Sequence, residues 1–119
     1  MLQTAAALFC AAALGGLVMA GIRFSGAPRP PSWLAMGHGL LAAAGLTLLI
    51  YAALMVGVPR TAQIAAVLFV IAATAGTALN LLYHSKQLPL PKPLLVAHAL
   101  LAVAGFVLLL VTLYGSVRV

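Results

Sequence analysis

Two histidines stand where they could bind a metal ion or move a proton. His38 and His98 each lie inside a long apolar segment of a chain with no Asp or Glu. A histidine in an apolar membrane segment is costly enough to indicate a functional site. Two neutral imidazoles can ligate one metal ion from opposite sides. The pair therefore predicts a centre in which His38 and His98 bind the same ion.

The spacing between the two histidines recurs through the whole sequence. Residues 1–59 align with residues 61–119 without a gap, and nineteen aligned positions, His38 with His98 among them, are identical. Membrane composition explains the alanine and leucine matches, but not the matches of glutamine, glycine, serine, proline and histidine. We therefore interpret the chain as a tandem duplication with repeats 1–59 and 61–119.

Composition predicts an integral membrane protein. Hydrophobic residues make up 66% of the chain and charged residues 5%, far less charge than a soluble domain carries. Four apolar segments are each long enough to cross roughly 30 Å of hydrocarbon as a helix. We expect an all-α four-helix membrane bundle in which residues 1–119 form a single transmembrane domain. The expected spans lie near residues 3–23, 33–57, 61–83 and 94–115.

The basic residues predict the orientation. Two proline-rich loops are flanked by four of them, whereas only Arg60, Arg118 and the terminal amine lie on the other side. The positive-inside rule places these loops in the cytoplasm and both termini on the non-cytoplasmic side, in a bacterial inner membrane. The lipid bilayer is the expected partner of this charge, and we expect no nucleic-acid partner. The four residues are Arg23, Arg29, Lys86 and Lys92.

An even number of spans in each repeat constrains the geometry. Both halves enter the membrane in the same direction, so a pseudo-twofold axis along the membrane normal should relate them. His38 follows Pro31 by seven residues and His98 follows Pro91 by seven, which is roughly 10 Å along a helix. The two histidines should therefore share one depth and face each other across the axis.

Glycines surround the predicted histidine pair. Gly16 and Gly76 belong to the same layer, and Gly37 and Gly39 flank His38. One further glycine lies two turns beyond each histidine on the same face. These last two are Gly45 and Gly105. The helix faces that carry His38 with Gly45 and His98 with Gly105 would form a groove with a histidine at one end, into which a flat apolar molecule could fit.

Haem b is the cofactor that these features favour. His38 and His98 would be the axial ligands of its iron, and the glycines would leave room for the porphyrin. The anionic propionates would meet the basic residues at the loop side, Arg23, Arg29, Lys86 and Lys92.

Other uses of the pair remain open. The histidines could instead form hydrogen bonds between helices, in a haem-free accessory subunit that packs in a larger complex. They could also line the path of a small-ligand carrier. A zinc site is less favoured because it usually needs three or four ligands. Without Asp or Glu, the chain lacks the groups for carboxylate-coupled transport and for hydrolysis by paired acids.

The intramembrane histidines and the four-span plan resemble small four-helix membrane b-type cytochromes, such as cytochrome b561-like proteins and related haem-anchor subunits. The resemblance covers the whole chain at the level of architecture. In those families histidines of transmembrane helices ligate haem, and many members exchange electrons with quinone or ascorbate. Two-haem members need four ligands, whereas this chain has one intramembrane pair plus His84 at a helix end. The resemblance implies one bis-histidine haem b and electron transfer beside other subunits or in a homodimer.

The repeat breaks at the end of the third span. Asn80, Tyr83 and His84 occupy positions that hold alanine, arginine and phenylalanine in the first half. Asn80 and His84 are four residues apart and share a helix face. Their side chains could bind quinone carbonyls and move protons, so we predict a quinone site here. The alternative is that Tyr83 and His84 anchor the helix at the membrane interface.

Overall fold

The structure is a computed structural model in which residues 1–115 are described; residues 116–119, with Arg118 and the end of the second repeat, lie outside the described residues. The described chain is an all-helical bundle of four helices, each long and apolar enough to cross a membrane. This confirms the predicted fold class. Each helix begins and ends within two residues of its expected span. The helices are α1 (Leu2–Phe24), α2 (Ser32–Val56), α3 (Arg60–His84) and α4 (Lys92–Gly115).

Proline and glycine set the helix boundaries. Pro31 and Pro59 are the N-cap residues of α2 and α3, and Pro91 immediately precedes α4. Proline suits these positions because its φ is fixed and it has no N–H to satisfy. At the end of α2, the Gly57 N–H donates to the Ala52 carbonyl at 2.9 Å. Gly57 has a φ of 87°, which glycine adopts without steric cost, so the chain turns at once into α3.

Two antiparallel hairpins lie side by side. α1 packs most closely on α2, and α3 on α4, while α1 with α4 and α2 with α3 make the smaller contacts between hairpins. The bundle extends 48 Å along its longest axis. This length covers a hydrocarbon core and the headgroup layers, about 40–45 Å in total. Large apolar side chains such as Leu54 and Leu17 are exposed around the bundle, as expected of a surface that faces lipid.

A stacked pair of phenylalanines forms the centre of the bundle. The Phe9 and Phe69 rings are nearly parallel, with centroids 3.9 Å apart and planes at 3°. Gly45 lies against the Phe9 ring and Gly105 against the Phe69 ring, so each ring fits into the space left by a missing side chain. These contacts occur at equivalent positions of the two sequence halves. Buried alanines of α1 and α3 and two fully buried leucines, Leu49 and Leu109, complete this core.

Replacing Gly45 with alanine should destabilise the bundle. The added Cβ would lie 3.3 Å from the Phe9 ring and 3.3 Å from the Ala5 carbonyl oxygen, a backbone atom that cannot rotate away. Overpacking of this kind costs about 1–3 kcal/mol. Thermal unfolding in detergent should show a lower midpoint for Gly45→Ala than for the unchanged chain.

Gly37→Ala is the matched control, because a Cβ at Gly37 meets nothing within 4 Å. Alanine is also the better helix former, so this variant should be at least as stable as the unchanged chain. Equal midpoints for Gly45→Ala and Gly37→Ala would contradict the tight packing at Gly45.

Candidate functional site

Each histidine of the pair is held by a carbonyl of the preceding helix. His38 Nδ1 lies 2.7 Å from the Ala12 carbonyl oxygen, and His98 Nδ1 lies 2.7 Å from the Ala72 carbonyl oxygen. A carbonyl oxygen only accepts hydrogen bonds, so Nδ1 must carry the proton in both rings. In the neutral imidazole Nε2 then keeps its lone pair. Both histidines thus present the nitrogen that can ligate a metal ion.

Glycines make these hydrogen bonds possible. A Cβ placed on Gly16 would lie 3.1 Å from His38 Cε1, and one placed on Gly76 would lie 2.9 Å from His98 Cε1. Each imidazole therefore occupies the space that a side chain would fill one turn beyond the accepting carbonyl. Gly16 and Gly76 do share a layer with the histidines, and the space directly over them is taken by the imidazole rings.

The two imidazoles lie opposite each other. Their centroids are 6.1 Å apart and their planes meet at 78°. A metal ion bound about 2.0–2.1 Å from one nitrogen of each ring separates the centroids by roughly 6 Å. The observed centroid spacing is therefore compatible with one ion shared by the two rings.

Both Nε2 atoms are available to a ligand. Within residues 1–115, each histidine has its carbonyl bond and the ring contact with the other, and Nε2 has no hydrogen-bond partner. No side-chain nitrogen or oxygen in this part of the chain is both sealed from solvent and unpaired. The Nε2 atoms of these half-buried rings are therefore open to an approaching group rather than enclosed.

The donor set fits haem iron better than a free metal ion. The described residues contain no group of three or more His, Cys, Asp or Glu side chains that could hold a metal. An ion bound here would thus have two protein ligands, too few for zinc. A haem iron would need only two ligands from the protein, and His38 and His98 would supply them. The carbonyls bound to Nδ1 supply the orienting contact that metal-ligating histidines usually have.

The other glycines of the predicted groove have different surroundings. Gly45 and Gly105 lie under the phenyl rings of Phe9 and Phe69, so at that level the flat apolar occupant belongs to the chain itself. A Cβ on Gly37 or Gly39 would meet nothing within 4 Å. The structure brings Gly16 and Gly76 to the histidines and the remaining four glycines to other positions.

Two of the four basic residues at the loop side bind carbonyls of the second loop. Arg23 Nε donates to the Leu90 carbonyl at 2.9 Å, and Arg29 Nη1 donates to the Gln87 carbonyl at 2.7 Å. Lys92 Nζ lies 5.5 Å from the centre of the Phe24 ring, and Lys86 is exposed. In the described residues no hydrogen bond joins any of the four to His38 or His98. Arg23 and Arg29 therefore tie the end of α1 and the first loop to the second loop.

Asn80, Tyr83 and His84 belong to a π-helical segment at the end of α3. The Ser85 N–H donates to the Asn80 carbonyl at 2.8 Å, and His84 Nε2 donates to the Pro30 carbonyl at 2.9 Å. Asn80 is exposed, and among residues 1–115 no hydrogen bond joins the three side chains to one another. Sequence spacing does not distinguish this π-helical segment from an α-helix. Such segments occur frequently at functional sites.

Comparison of the chain with protein-family models, with curated proteins and with solved structures gave no match. The resemblance to b-type cytochromes therefore rests on the sequence features described above.

The hydrogen bonds predict the tautomers of the three histidines. In the neutral form His38 and His98 should carry the proton on Nδ1, whereas His84 should carry it on Nε2. Nitrogen NMR of histidine-labelled, haem-free protein in detergent distinguishes the two forms. His84→Gln identifies the signal of His84, which serves as the internal control. An Nε2-protonated form of His38 or His98 would rule out the carbonyl bonds.

Proposed function

We propose that the chain is a membrane electron-transfer protein, or a subunit of one, that holds a single haem b between His38 and His98. One observation carries the proposal: the imidazole centroids are 6.1 Å apart, with each Nδ1 bound to a carbonyl and each Nε2 without a partner. The bound haem supplies one-electron redox chemistry at its iron. All other requirements fall on the chain's own residues.

The first requirement is to orient the ligands. The Ala12 and Ala72 carbonyls keep the proton on Nδ1 and make Nε2 more basic, as outer contacts do in metal sites. Gly16 and Gly76 let the rings approach these carbonyls. Because the chain has no Asp or Glu, no side-chain carboxylate of its own competes for the iron.

The depth of the site suggests how it works. His38 is six residues from Ser32, the start of α2, which is roughly 9 Å along the helix. A single haem at this depth lies near one membrane surface and cannot carry electrons across the bilayer alone. It would work beside other redox centres, as a subunit of a membrane complex or in a homodimer.

The proposal also assigns the membrane orientation, the propionate contacts and the quinone site. The proline-rich loops face the cytoplasm of a bacterial cell, since Arg23, Arg29, Lys86 and Lys92 flank them. These residues would meet the haem propionates, and quinone would bind at the π-helical segment Asn80–His84 and exchange electrons with the haem. Tandem duplication accounts for the paired ligands, and the matching carbonyl bonds in the two halves support it.

A second candidate function is supported by the hydrogen bonds from the two histidines to the Ala12 and Ala72 carbonyls. In a haem-free accessory subunit, His38 and His98 would join α1 to α2 and α3 to α4, and the apolar outer faces would pack in a larger complex. Polar bonds between membrane helices contribute about 0.6 kcal/mol each on average. This role needs no ligand on Nε2.

Absorption spectroscopy tests the haem proposal. The purified chain, as isolated or after addition of haemin, should have a Soret band and an alpha band that sharpens on reduction with dithionite. His38→Ala and His98→Ala should each lose at least about tenfold in haem affinity, because each removes one iron ligand.

His84→Ala is the matched control, because His84 binds the Pro30 carbonyl in the loop region and does not touch the pair. It should keep the spectrum of the unchanged chain. A folded protein that binds no haem would favour the accessory subunit, and haem binding that survives both pair variants would refute the ligand assignment.

A quinol analogue tests the predicted quinone site. Asn80→Ala should slow reduction of the haem several-fold, because the exposed Asn80 amide is the proposed partner of a quinone carbonyl. Leu81→Ala alters the adjacent exposed residue of the same segment without removing a polar group, and it should leave the rate unchanged. Stopped-flow absorption measures both rates. Equal rates in the two variants would remove Asn80 from the quinone site.

A further inference from the structure

A polar cleft lies between the first loop and the end of α3. Its volume is about 560 Å³, within the usual range for small-molecule sites. Arg29 and Ser32 line it from the first loop and the start of α2, and His84, Ser85 and Gln87 line it from the end of α3 and the second loop. Neither His38 nor His98 lines this cleft, so it does not contain the proposed iron ligands, although Arg29 and His84 are also assigned above to the propionate and quinone contacts.

The cleft presents positive charge and hydrogen-bond donors without a counter-ion. Arg29 uses Nη1 to bind the Gln87 carbonyl at 2.7 Å, and the rest of its guanidinium fork is left for another acceptor. His84 Nε2 binds the Pro30 carbonyl, which keeps the ring at the wall of the cleft. Because the chain has no Asp or Glu, no side-chain carboxylate can neutralise Arg29.

The corresponding region of the other half is different. At the aligned positions, Phe24 stands where the cleft has His84, and Pro89 stands where it has Arg29. The Phe24 ring lies 5.5 Å from Lys92 Nζ, and Leu90 is buried. The polar lining is therefore not a general consequence of the bundle. It arises at positions where the two halves of the sequence differ.

We propose that this cleft binds a phosphate group, supplied either by the headgroup of a phospholipid or by a free phosphate. The planar guanidinium of Arg29 matches the geometry of phosphate oxygens. Arginine is the residue that most often binds a phosphate through bidentate hydrogen bonds. The Ser32 hydroxyl lies at the same cleft as a further donor. The helix ends place the cleft at the level where the headgroups of a bilayer lie.

Calorimetric titration of the detergent-purified chain tests the proposal with two probes. Dihexanoyl phosphatidylglycerol presents the phosphate on a lipid, and inorganic phosphate presents it free. At least one of them should bind in a saturable way. Binding of the lipid alone identifies a headgroup site, and equal binding of both identifies a site for free phosphate.

Two variants with equal loss of charge show whether binding is specific to the cleft. Arg29→Gln should weaken binding by about tenfold, because a charge-assisted pair is lost. Lys86→Gln removes a basic residue of the second loop that does not line the cleft, and it should change the affinity by less than about twofold. His84→Phe, which introduces the residue type of position 24, removes the hydrogen bond to the Pro30 carbonyl that holds this wall of the cleft, and it should also weaken binding. Helix content measured by circular dichroism should be the same in all three variants.

The titration is repeated with His38→Ala, which lacks a proposed haem ligand. Unchanged binding in that variant is expected, because the cleft does not contain the histidine pair. Absence of saturable binding of either probe, equal weakening by Arg29→Gln and Lys86→Gln, or loss of binding in His38→Ala would each overturn the phosphate site. None of these results bears on whether haem binds between His38 and His98.

Discussion

The hydrogen bond from a histidine Nδ1 to a carbonyl on the neighbouring helix is the interaction on which this bundle depends. Lipid tails are as apolar as leucine, so burial alone does not drive one membrane helix against another. Close packing and polar bonds must do so. The bonds from His38 to Ala12 and from His98 to Ala72 join the two helices of each hairpin, and they form only because Gly16 and Gly76 let the rings reach the backbone.

The same bond couples structure to the proposed chemistry. It fixes the tautomer and the direction of each ring, so the nitrogen that does not hold the hairpin is left for a ligand. The stacked Phe9 and Phe69 rings join the two hairpins across the centre of the bundle. The histidines of the two hairpins face each other in the same bundle, with ring centroids 6.1 Å apart. Packing and ligand geometry thus have a common origin in small residues that allow close approach.

The interior and the loop end of the bundle differ in symmetry. Inside the bundle, the carbonyl bonds, the glycine contacts and the phenyl stack involve equivalent positions of the two sequence halves. At the loop end the match ends, since Arg29 and His84 line a polar cleft where the other half has Pro89 and Phe24. A symmetric centre would suit a group held by two equivalent protein residues. An asymmetric surface suits a ligand that binds once.

The sequence by itself determined the four spans, because the length and composition of apolar segments decide whether a helix can cross lipid. It also determined the common depth of His38 and His98, since equal spacing from Pro31 and Pro91 becomes equal rise along two helices. Only the tertiary structure decided that Phe9 and Phe69 fill the groove beside Gly45 and Gly105. The tertiary structure also decided which carbonyls bind Nδ1 and where the cleft at Arg29 lies. Each depends on which helix faces lie in contact, and that arrangement results from side chains distant in the sequence fitting together in space.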